Sequence, residues 1–252
     1  MAKRKILIDC DPGHDDAVAL LFAARHLDLI GVTTVHGNNS LENITRNALA
    51  VLELAGIDVP LARGCALALR REPRLRHWLA EIAVMGGSTG NGNVTAAAEW
   101  NIHCDPEAAW AVFTSGIPIR MVGLNITRMT GLEQTDIDQL RGSGRKVANV
   151  IGDLLEFYLA NQRARSGITI APMHDVCAVL PYAYSGLLEY AHARVEIELR
   201  GTHTRGMTLC DLRPAALAAG QKRTPPPNAH VAIEARSRDI IERVIETLLS
   251  YP

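Results

Sequence analysis

The N-terminal part of the chain joins a short apolar run to a helical run through a sharp turn. Lys5–Ile8 is rich in β-branched residues, and this pattern predicts a strand buried on both faces. Pro12-Gly13 predicts a turn. Ala17–Ala24 is a run of helix formers, and Asp15 and Asp16 precede it at the expected helix cap and first turn.

The same alternation continues along the first half of the chain. Leu29–Val35 is a second predicted strand, which ends in the loop His36–Asn39, and Leu41–Leu54 is an amphipathic helical run. Glu81–Met85 and Ile117–Leu124 are further predicted strands. This order predicts an α/β fold with a parallel sheet and right-handed crossovers. Ligands of such sheets bind outside the carboxyl ends of the strands, where Asp9, Asp11 and Asn38 all fall.

The second half of the chain predicts further helices and two more strands. The helical runs are Thr135–Leu140, Lys146–Gln162, the residues after Asp175, and Ser237–Leu249; the strand-like runs are Ala193–Leu199 and Ala229–Ala235. Cys65–Arg71 resembles the end of a helix but lacks an N-cap residue. We find no internal repeat and expect a single domain over residues 1–252.

The strand-to-helix corner at residues 9–16 gathers four carboxylates: Asp9, Asp11, Asp15 and Asp16. Four like charges repel unless some are protonated or a cation neutralises them. A helix N-terminus offsets only about 0.3–1 kcal/mol of this repulsion. Oxygen ligands alone suit a hard cation such as Ca²⁺ or Mg²⁺. The alternative is a capping aspartate with solvated neighbours.

Polar residues in two later segments are further candidates. Glu99 and Asn101 alternate along a segment that we expect to be extended, so they would point to the same side. Asp105 precedes Pro106 and is expected to cap a helix. His174 and Asp175 stand directly before an apolar helical run, where Asp175 is either a cap or a site residue.

Composition narrows the class of protein. The formal net charge of −1 gives no electrostatic argument for binding nucleic acid or an anionic membrane. No apolar run is long enough to span a bilayer, and the basic N-terminus is not followed by a signal-peptide pattern. The five cysteines are scattered and form no C-x-x-C pair, which favours a reduced, cytoplasmic protein.

Several motifs in this order resemble the inosine–uridine preferring nucleoside hydrolase family. They are Asp9-Cys-Asp-Pro-Gly-His-Asp-Asp16, Thr33-Thr-Val-His-Gly-Asn38, Thr45-Arg-Asn-Ala48, Val84-Met-Gly-Gly87, Gly92-Asn-Val94, Ala98-Glu-Trp-Asn101, Asp105-Pro-Glu-Ala108 and Pro172-Met-His-Asp175. Any single motif is weak, but the combination covers most of the chain and is highly specific. The resemblance implies an open, mostly parallel Rossmann-like sheet with helices on both faces. It also implies a Ca²⁺-binding homodimer or homotetramer that hydrolyses the N-glycosidic bond of ribonucleosides.

The resemblance also implies roles for individual residues. Asp11, Asp16 and Asp175 are expected to bind calcium, with Asp11 also the general base and Asp9 supporting the site. The residues expected around the ribose are Asp15, Asn38, Asn93, Glu99 and Asn101 at its hydroxyls and Met85 beneath the ring. His174 is expected near the nucleobase as a candidate acid. The other candidates near the base are Tyr158, Gln162 and Arg163; a purine or pyrimidine preference is not predicted.

The chain departs from the family pattern after Gly64. Family members carry there a further loop, helix and strand, which ends in a Gly-Pro-Leu-Thr-Asn type turn whose threonine carbonyl binds the calcium. This chain has no such turn. We therefore expect one interior strand and one metal ligand of the family to be missing, and the flanking strands to be left as sheet edges.

The expected reaction is attack of water on the anomeric carbon of the ribose through an oxocarbenium-like centre. A water held by calcium and activated by Asp11 would be the nucleophile. Two alternatives stay open at this point. One is a phosphohydrolase of the haloacid dehalogenase type, which also has an Asp-x-Asp pattern after its first strand. The other is a degenerate member of the family that binds nucleoside or calcium without turnover.

Overall fold

The computed structural model describes residues 3–65, 79–213 and 225–252. The strands are β1 (Lys5–Cys10), β2 (Asp28–Thr34), β3 (Leu61–Arg63), β4 (Ile82–Met85), β5 (Ile119–Val122), β6 (Gly131–Leu132), β7 (Ala171–Pro172), β8 (Leu188–Ile197), β9 (Thr208–Asp211) and β10 (Ala229–Ala235). The α-helices are α1 (His14–His26), α2 (Leu41–Leu54), α3 (Trp100–Cys104), α4 (Pro106–Phe113), α5 (Leu124–Thr127), α6 (Gln134–Arg141), α7 (Lys146–Ser166), α8 (Val176–Val179) and α9 (Ser237–Leu249). A short 3₁₀ helix follows α8 at Leu180–Tyr182.

The described residues form two compact units. The first comprises residues 3–65, 127–187 and 236–252. The second comprises residues 79–126, 188–213 and 225–235. Each sheet of the described residues lies within one unit, so each unit has its own hydrophobic layer.

The first unit contains the parallel sheet β1-β2-β3 and the short antiparallel pair β6-β7. In this register Asp9 lies beside Thr33 and Cys10 beside Thr34. The prediction that β1 is buried on both faces is wrong, because Leu7 is 43% exposed. Within the described strands β1 pairs only with β2, so it is an edge strand that lacks the cover of an interior strand.

Helix α1 is the centre of the first unit. Every residue from Asp16 to Ala23 is buried, because α2, α7, α8 and α9 all pack around this helix. An apolar helix without a polar face is typical of such an enclosed position. The Tyr251 hydroxyl donates to the Leu21 carbonyl at 2.7 Å, which fixes the C-terminus of the chain against α1. The burial of α1 gives the residues of its first turn a rigid support.

The second unit contains the mixed sheet β4-β5-β10-β8-β9. The strands β4, β5 and β10 are parallel, and β8 and β9 add antiparallel to them. One face of this sheet forms an apolar core with residues of α3 and α4, including Met121, Val195 and Val231. Parallel strands alternating with helices in both units confirm the predicted α/β fold with an open, mostly parallel sheet.

Most predicted elements are found with small changes in their ends. Leu41–Leu54, Ala229–Ala235 and Ser237–Leu249 have the predicted bounds, whereas β8 begins at Leu188 and β9 was not predicted. The predicted extended segment at Glu99 and Asn101 is wrong. Glu99 is instead the N-cap of α3, and Asn101 lies inside that helix. In the described ranges, no helix is long and apolar enough to cross a membrane.

The chain can be followed a short way past β3. Gly64 donates its N–H to the Thr34 carbonyl at 2.8 Å, and the Cys65 carbonyl accepts from the His36 N–H at 3.2 Å. The backbone approaches so closely here that a side chain at Gly64 would overlap the Thr34 carbonyl. The helix predicted over Cys65–Arg71 lies outside the described residues from position 66 onward. Among the described strands, β3 is an edge strand of its sheet, and β4 is an edge strand of the other sheet.

Candidate metal and catalytic site

The turn between β1 and α1 is fixed by the backbone of the turn itself and by α2. Gly13 is the N-cap of α1, and its N–H donates to Asp16 Oδ2 at 3.0 Å. The Pro12 carbonyl accepts from Asn47 Nδ2 of α2 at 3.1 Å. Asp15 and Asp16 therefore lie in the first turn of α1, as predicted, but Gly13 rather than an aspartate is the cap.

Three carboxylates meet at this helix end. Oxygen atoms of Asp15, Asp16 and Asp175 all lie within 4.8 Å of one another. Asp175 comes from a distant part of the sequence, directly before α8, and α8 packs against α1. The structure thus brings together two of the expected calcium ligands, Asp16 and Asp175, and adds Asp15, which was expected at the ribose.

Asp11 is held beside this cluster by the loop after β2. Its Oδ2 accepts a hydrogen bond of 2.7 Å from the Asn38 N–H. Gly37 permits this contact, because a Cβ atom at that position would overlap the Asp11 carboxylate. Asp9 is directed to the neighbouring strand, where its Oδ1 accepts from Thr33 Oγ1 at 2.5 Å.

The protonation of these carboxylates reflects their burial and mutual repulsion. Burial raises the pKa of Asp16 to about 7, and the charges of Asp15 and Asp11 add to the rise. Burial likewise raises the pKa of Asp175 well above its ordinary value, again with the help of Asp15 and Asp16. For Asp11, burial raises the pKa and the Asn38 N–H opposes the rise. A bound cation would relieve this repulsion, so the donor set fits a hard metal ion such as Ca²⁺.

Two histidines make side-chain contacts that were not predicted. His174 Nδ1 lies 2.6 Å from Thr127 Oγ1, and burial lowers the pKa of His174. The His14 ring stacks on Tyr158 of α7, with ring centroids 3.8 Å apart and planes at 22°. Its Nδ1 lies 3.5 Å from Asp15 Oδ1. Thr127 and His14 were not among the predicted site residues, since the contacts of Thr127 with His174 and of His14 with Tyr158 join segments far apart in the chain.

The second unit brings together the other predicted site residues. Glu99 is buried, and its carboxylate accepts from the N–H groups of Gly87 at 2.8 Å, Asn101 at 2.9 Å and Ile102 at 3.2 Å. Asn101 Nδ2 lies 3.2 Å from both the carbonyl oxygen and the sulfur of Met85.

Asn93 belongs to the same group, because its Oδ1 accepts from the Trp100 N–H at 2.8 Å. Met85, Asn93, Glu99 and Asn101 therefore form one connected group. Backbone N–H groups of the chain itself hold the oxygen atoms of Glu99 in a fixed orientation.

An α/β fold with a cluster of carboxylates beyond the end of its first strand is compatible with several classes of hydrolytic and metal-binding protein. Comparison with known families is more specific. The family model described as "Inosine-uridine preferring nucleoside hydrolase" matches residues 6–66 and 65–242, which is most of the chain. The chain therefore belongs to the inosine–uridine preferring nucleoside hydrolase family and is a nucleoside hydrolase. This result decides against the haloacid dehalogenase alternative.

Individual relatives agree with this assignment. The pyrimidine-specific ribonucleoside hydrolase RihA of Citrobacter koseri is 30% identical, over 98% of each chain. The solved structure of a plant nucleoside hydrolase, the PpNRh1 enzyme, is 26% identical and has a TM-score of 0.88, over 98% of this chain and 99% of that one. The purine-preferring ribonucleoside hydrolase from Gardnerella vaginalis has the same fold, with 23% identity and a TM-score of 0.85 over 98% of each chain.

The comparisons also locate the departure from the family pattern. The two matches to the family model meet at residues 65 and 66. The alignment with the Citrobacter relative extends over 313 positions, whereas this chain has 252 residues, so more than sixty aligned positions have no counterpart here. The break falls where β3 ends, in agreement with the expected loss of a family segment after Gly64.

Proposed function

We propose that this nucleoside hydrolase cleaves the N-glycosidic bond of ribonucleosides in a calcium-dependent reaction that releases ribose and the free base. The observation that carries the proposal is the close approach of Asp15, Asp16 and Asp175 at the first turn of α1. Carboxylates in such numbers, partly buried and repelling one another, are suited to a hard cation with oxygen ligands.

The residues that would hold the cation are Asp16 and Asp175, with Asp11 and Asp15 as the other carboxylates at the corner. When bound, calcium supplies Lewis-acid chemistry that makes a water molecule more acidic and more nucleophilic. Calcium accepts six to eight oxygen ligands in flexible geometry. Water or another oxygen atom could therefore take the ligand position that a threonine carbonyl occupies in the family.

Asp11 is the proposed general base. The Asn38 N–H occupies its Oδ2, which fixes the orientation of the carboxylate and leaves Oδ1 to accept a proton. The pKa of Asp11 is raised toward neutral pH, which makes its carboxylate a stronger base for proton transfer from water. Direct attack by water in a single step inverts the configuration at the anomeric carbon.

His174 is the proposed acid for the departing base. Its lowered pKa makes the imidazolium a stronger acid, and this form would transfer a proton to the departing base and leave the neutral imidazole. The Thr127 hydroxyl at Nδ1 holds the ring in place. This proposal places the second ring nitrogen, Nε2, as the atom that faces the base.

The ribose contacts are proposed from the family motifs. They are Asp15, Asn38, Met85, Asn93, Glu99 and Asn101. Carboxylate and amide groups suit hydroxyl partners, and a 2′-deoxy analogue would leave some of them without a partner at a cost of about 1–3 kcal/mol each. The proposal therefore predicts poor cleavage of 2′-deoxyribonucleosides.

The choice of nucleobase is best approached through the relatives. RihA of Citrobacter koseri is named pyrimidine-specific, and at 30% identity it supports uridine and cytidine as the first substrates to test. Tyr158, Gln162 and Arg163, all on α7, are the proposed contacts to the base beside His174. Assembly as a homodimer or homotetramer in the cytoplasm is proposed from the family resemblance.

The test is an assay of free ribose and free base from uridine, cytidine, inosine and deoxyuridine, with added Ca²⁺ and with a chelator. We expect ribose and base in equal amounts, released only when calcium is present. We expect release from deoxyuridine to be at least about tenfold slower than from uridine. Nucleoside binding by calorimetry without any release of base would instead support a degenerate, non-catalytic member. Equal rates for uridine and deoxyuridine would contradict the ribose contacts.

A further inference from the structure

Two histidines outside the acidic corner stand side by side on the sheet of the second unit. His192 of β8 lies directly opposite His230 of β10 in the antiparallel register. Their imidazole rings are stacked, with centroids 4.7 Å apart and an angle of 15° between the planes. Both residues are exposed, so solvent and dissolved ions reach them.

The two side chains project from the face of the sheet opposite its apolar core. Ala193 and Val231, the next residues along the two strands, are buried in the core cluster. Because side chains alternate between the faces of a strand, His192 and His230 share the other face. The sheet itself holds their Cα atoms in register, and neither imidazole is needed to fill the core.

The arginines near the pair form ion pairs with carboxylates. Arg120 of β5 lies beside His230 in the parallel register, but its Nε donates to Glu81 Oε1 at 2.7 Å. Its guanidinium group lies over the ring of Tyr190, 5.4 Å from the centroid. Further along β8, Arg194 is paired with Glu196. The nearby arginines are thus engaged with carboxylates, which reduces their repulsion toward a bound cation.

Paired imidazoles are the ligands that Zn²⁺, Ni²⁺ and Cu²⁺ prefer, whereas calcium prefers oxygen atoms. A zinc–nitrogen bond is about 2.0–2.1 Å long, so two imidazoles on one ion have their nitrogen atoms about 3.3 Å apart in tetrahedral geometry. The rings of His192 and His230 stand at a typical cross-strand separation. To bind one ion, the two exposed side chains would have to rotate out of the stack until one nitrogen atom of each faced the ion.

We propose that His192 and His230 form a second metal site, a two-imidazole clamp for a divalent transition metal ion, separate in chemistry from the acidic corner. Water or buffer would supply the remaining ligands. The clamp joins β8 to β10, so a bound ion stabilises the pairing of these strands by mass action. The proposal rests on the strand register and the ring contact, and it does not depend on the nature of the hydrolysed nucleoside.

The test uses calorimetry with Ni²⁺ and, separately, Zn²⁺ on the full chain saturated with Ca²⁺, so that the acidic corner is occupied by a competing ion. The variants are His192→Phe, which keeps an aromatic ring for stacking but removes the nitrogen ligands, and His230→Ala. The matched control is His203→Ala, which removes another exposed histidine of the same unit. Circular dichroism establishes that each variant is folded.

The wild-type chain and His203→Ala are expected to bind Ni²⁺ with equal affinity, and the melting temperature of both should rise on addition of the metal. His192→Phe and His230→Ala are each expected to bind about tenfold more weakly or worse. Wild-type affinity in His192→Phe and His230→Ala would overturn the proposal. So would the absence of binding to the wild-type chain at millimolar Ni²⁺ and Zn²⁺.

Discussion

The imidazole of His14 stacks on the phenol ring of Tyr158 at a centroid distance of 3.8 Å. His14 is the first residue of α1, and Tyr158 lies in the middle of α7. The contact therefore joins α7 to the helix turn that carries Asp15 and Asp16, and His14 Nδ1 also faces Asp15 Oδ1 at 3.5 Å. A substitution at Tyr158 should therefore alter the position of His14 and, through it, that of the Asp15 carboxylate.

We predict that Tyr158→Ala lowers the turnover of ribonucleosides by up to about tenfold, because an aromatic pair contributes about 0.5–1.5 kcal/mol. Tyr158→Phe keeps the stack and should retain most of the activity. The measurement is kcat and KM for uridine in both variants, beside the calcium affinity. Equal impairment of the two variants would show that the hydroxyl group, and not the stack, matters.

The metal-free protein should become less stable as the pH rises from about 5 to 7.5. Asp16 has a pKa of about 7 in the fold, well above the value of about 3.9 for an unperturbed aspartate. Between these values the folded chain holds a proton that the unfolded chain has released, so the free energy of unfolding falls with pH, by an amount on the order of a few kcal/mol.

Chemical denaturation at several pH values in the presence of a chelator measures this slope. Asp16→Asn cannot ionise at this position, so its profile should be flatter than that of the wild type. Added calcium should reverse the trend, since the ion binds the ionised carboxylates. A wild-type profile that rises with pH in the chelator would contradict the burial of Asp16 beside like charges.

Gly37→Ala should displace Asp11, the proposed general base, without changing that residue itself. The added methyl group would overlap the Asp11 carboxylate, which must then move away from the Asn38 N–H. We expect kcat to fall at least about tenfold, because a misplaced base loses much of its effect. Gly90→Ala is the matched control, since open space surrounds that position and its activity should be unchanged. Normal kcat in Gly37→Ala would contradict the assigned role of the Asn38 loop.

Glu99→Gln tests whether the buried carboxylate, a proposed ribose contact, also stabilises the fold. The amide nitrogen would face backbone N–H groups that now donate to the carboxylate, either those of Gly87 and Ile102 or that of Asn101. We expect a loss of about 2–3 kcal/mol of stability, because hydrogen bonds to a charged group are lost in a buried place. The check is the free energy of unfolding, with Glu107→Gln as an exposed control. Unchanged stability would mean that the N–H groups find other acceptors.

The sequence predicted the α/β fold and the acidic corner because both depend on local pattern. Periodicity located the strands and helices, and the crowding of Asp11, Asp15 and Asp16 follows from their nearness in the chain. The conformation at Glu99 was missed, because the helix there begins only when the buried carboxylate accepts from the N–H groups of Asn101 and Ile102. That environment is created by tertiary structure and leaves no periodic signal.

The exposure of β1 and the contacts between residues distant in the sequence could not be predicted from local pattern either. Lys5–Ile8 has the composition of an interior strand. The first match to the family model, however, ends at residue 66. Among the described residues, no further strand pairs with β1 on its open side. The pairs His14 with Tyr158 and His174 with Thr127 join residues distant in sequence. The packing of α7 against α1 brings His14 to Tyr158, and the pairing of β6 with β7 brings His174 to Thr127.

The most direct test of calcium-dependent hydrolysis at the acidic corner is the release of ribose from uridine by chelator-treated protein as Ca²⁺ is added back. We expect no release of ribose without calcium and full recovery on its addition, with a midpoint equal to the calorimetric Kd. Asp16→Asn, which lacks one proposed ligand, should show neither binding nor recovery over the same range. Undiminished release of ribose in the chelator, or normal recovery in Asp16→Asn, would contradict calcium-dependent hydrolysis at the acidic corner.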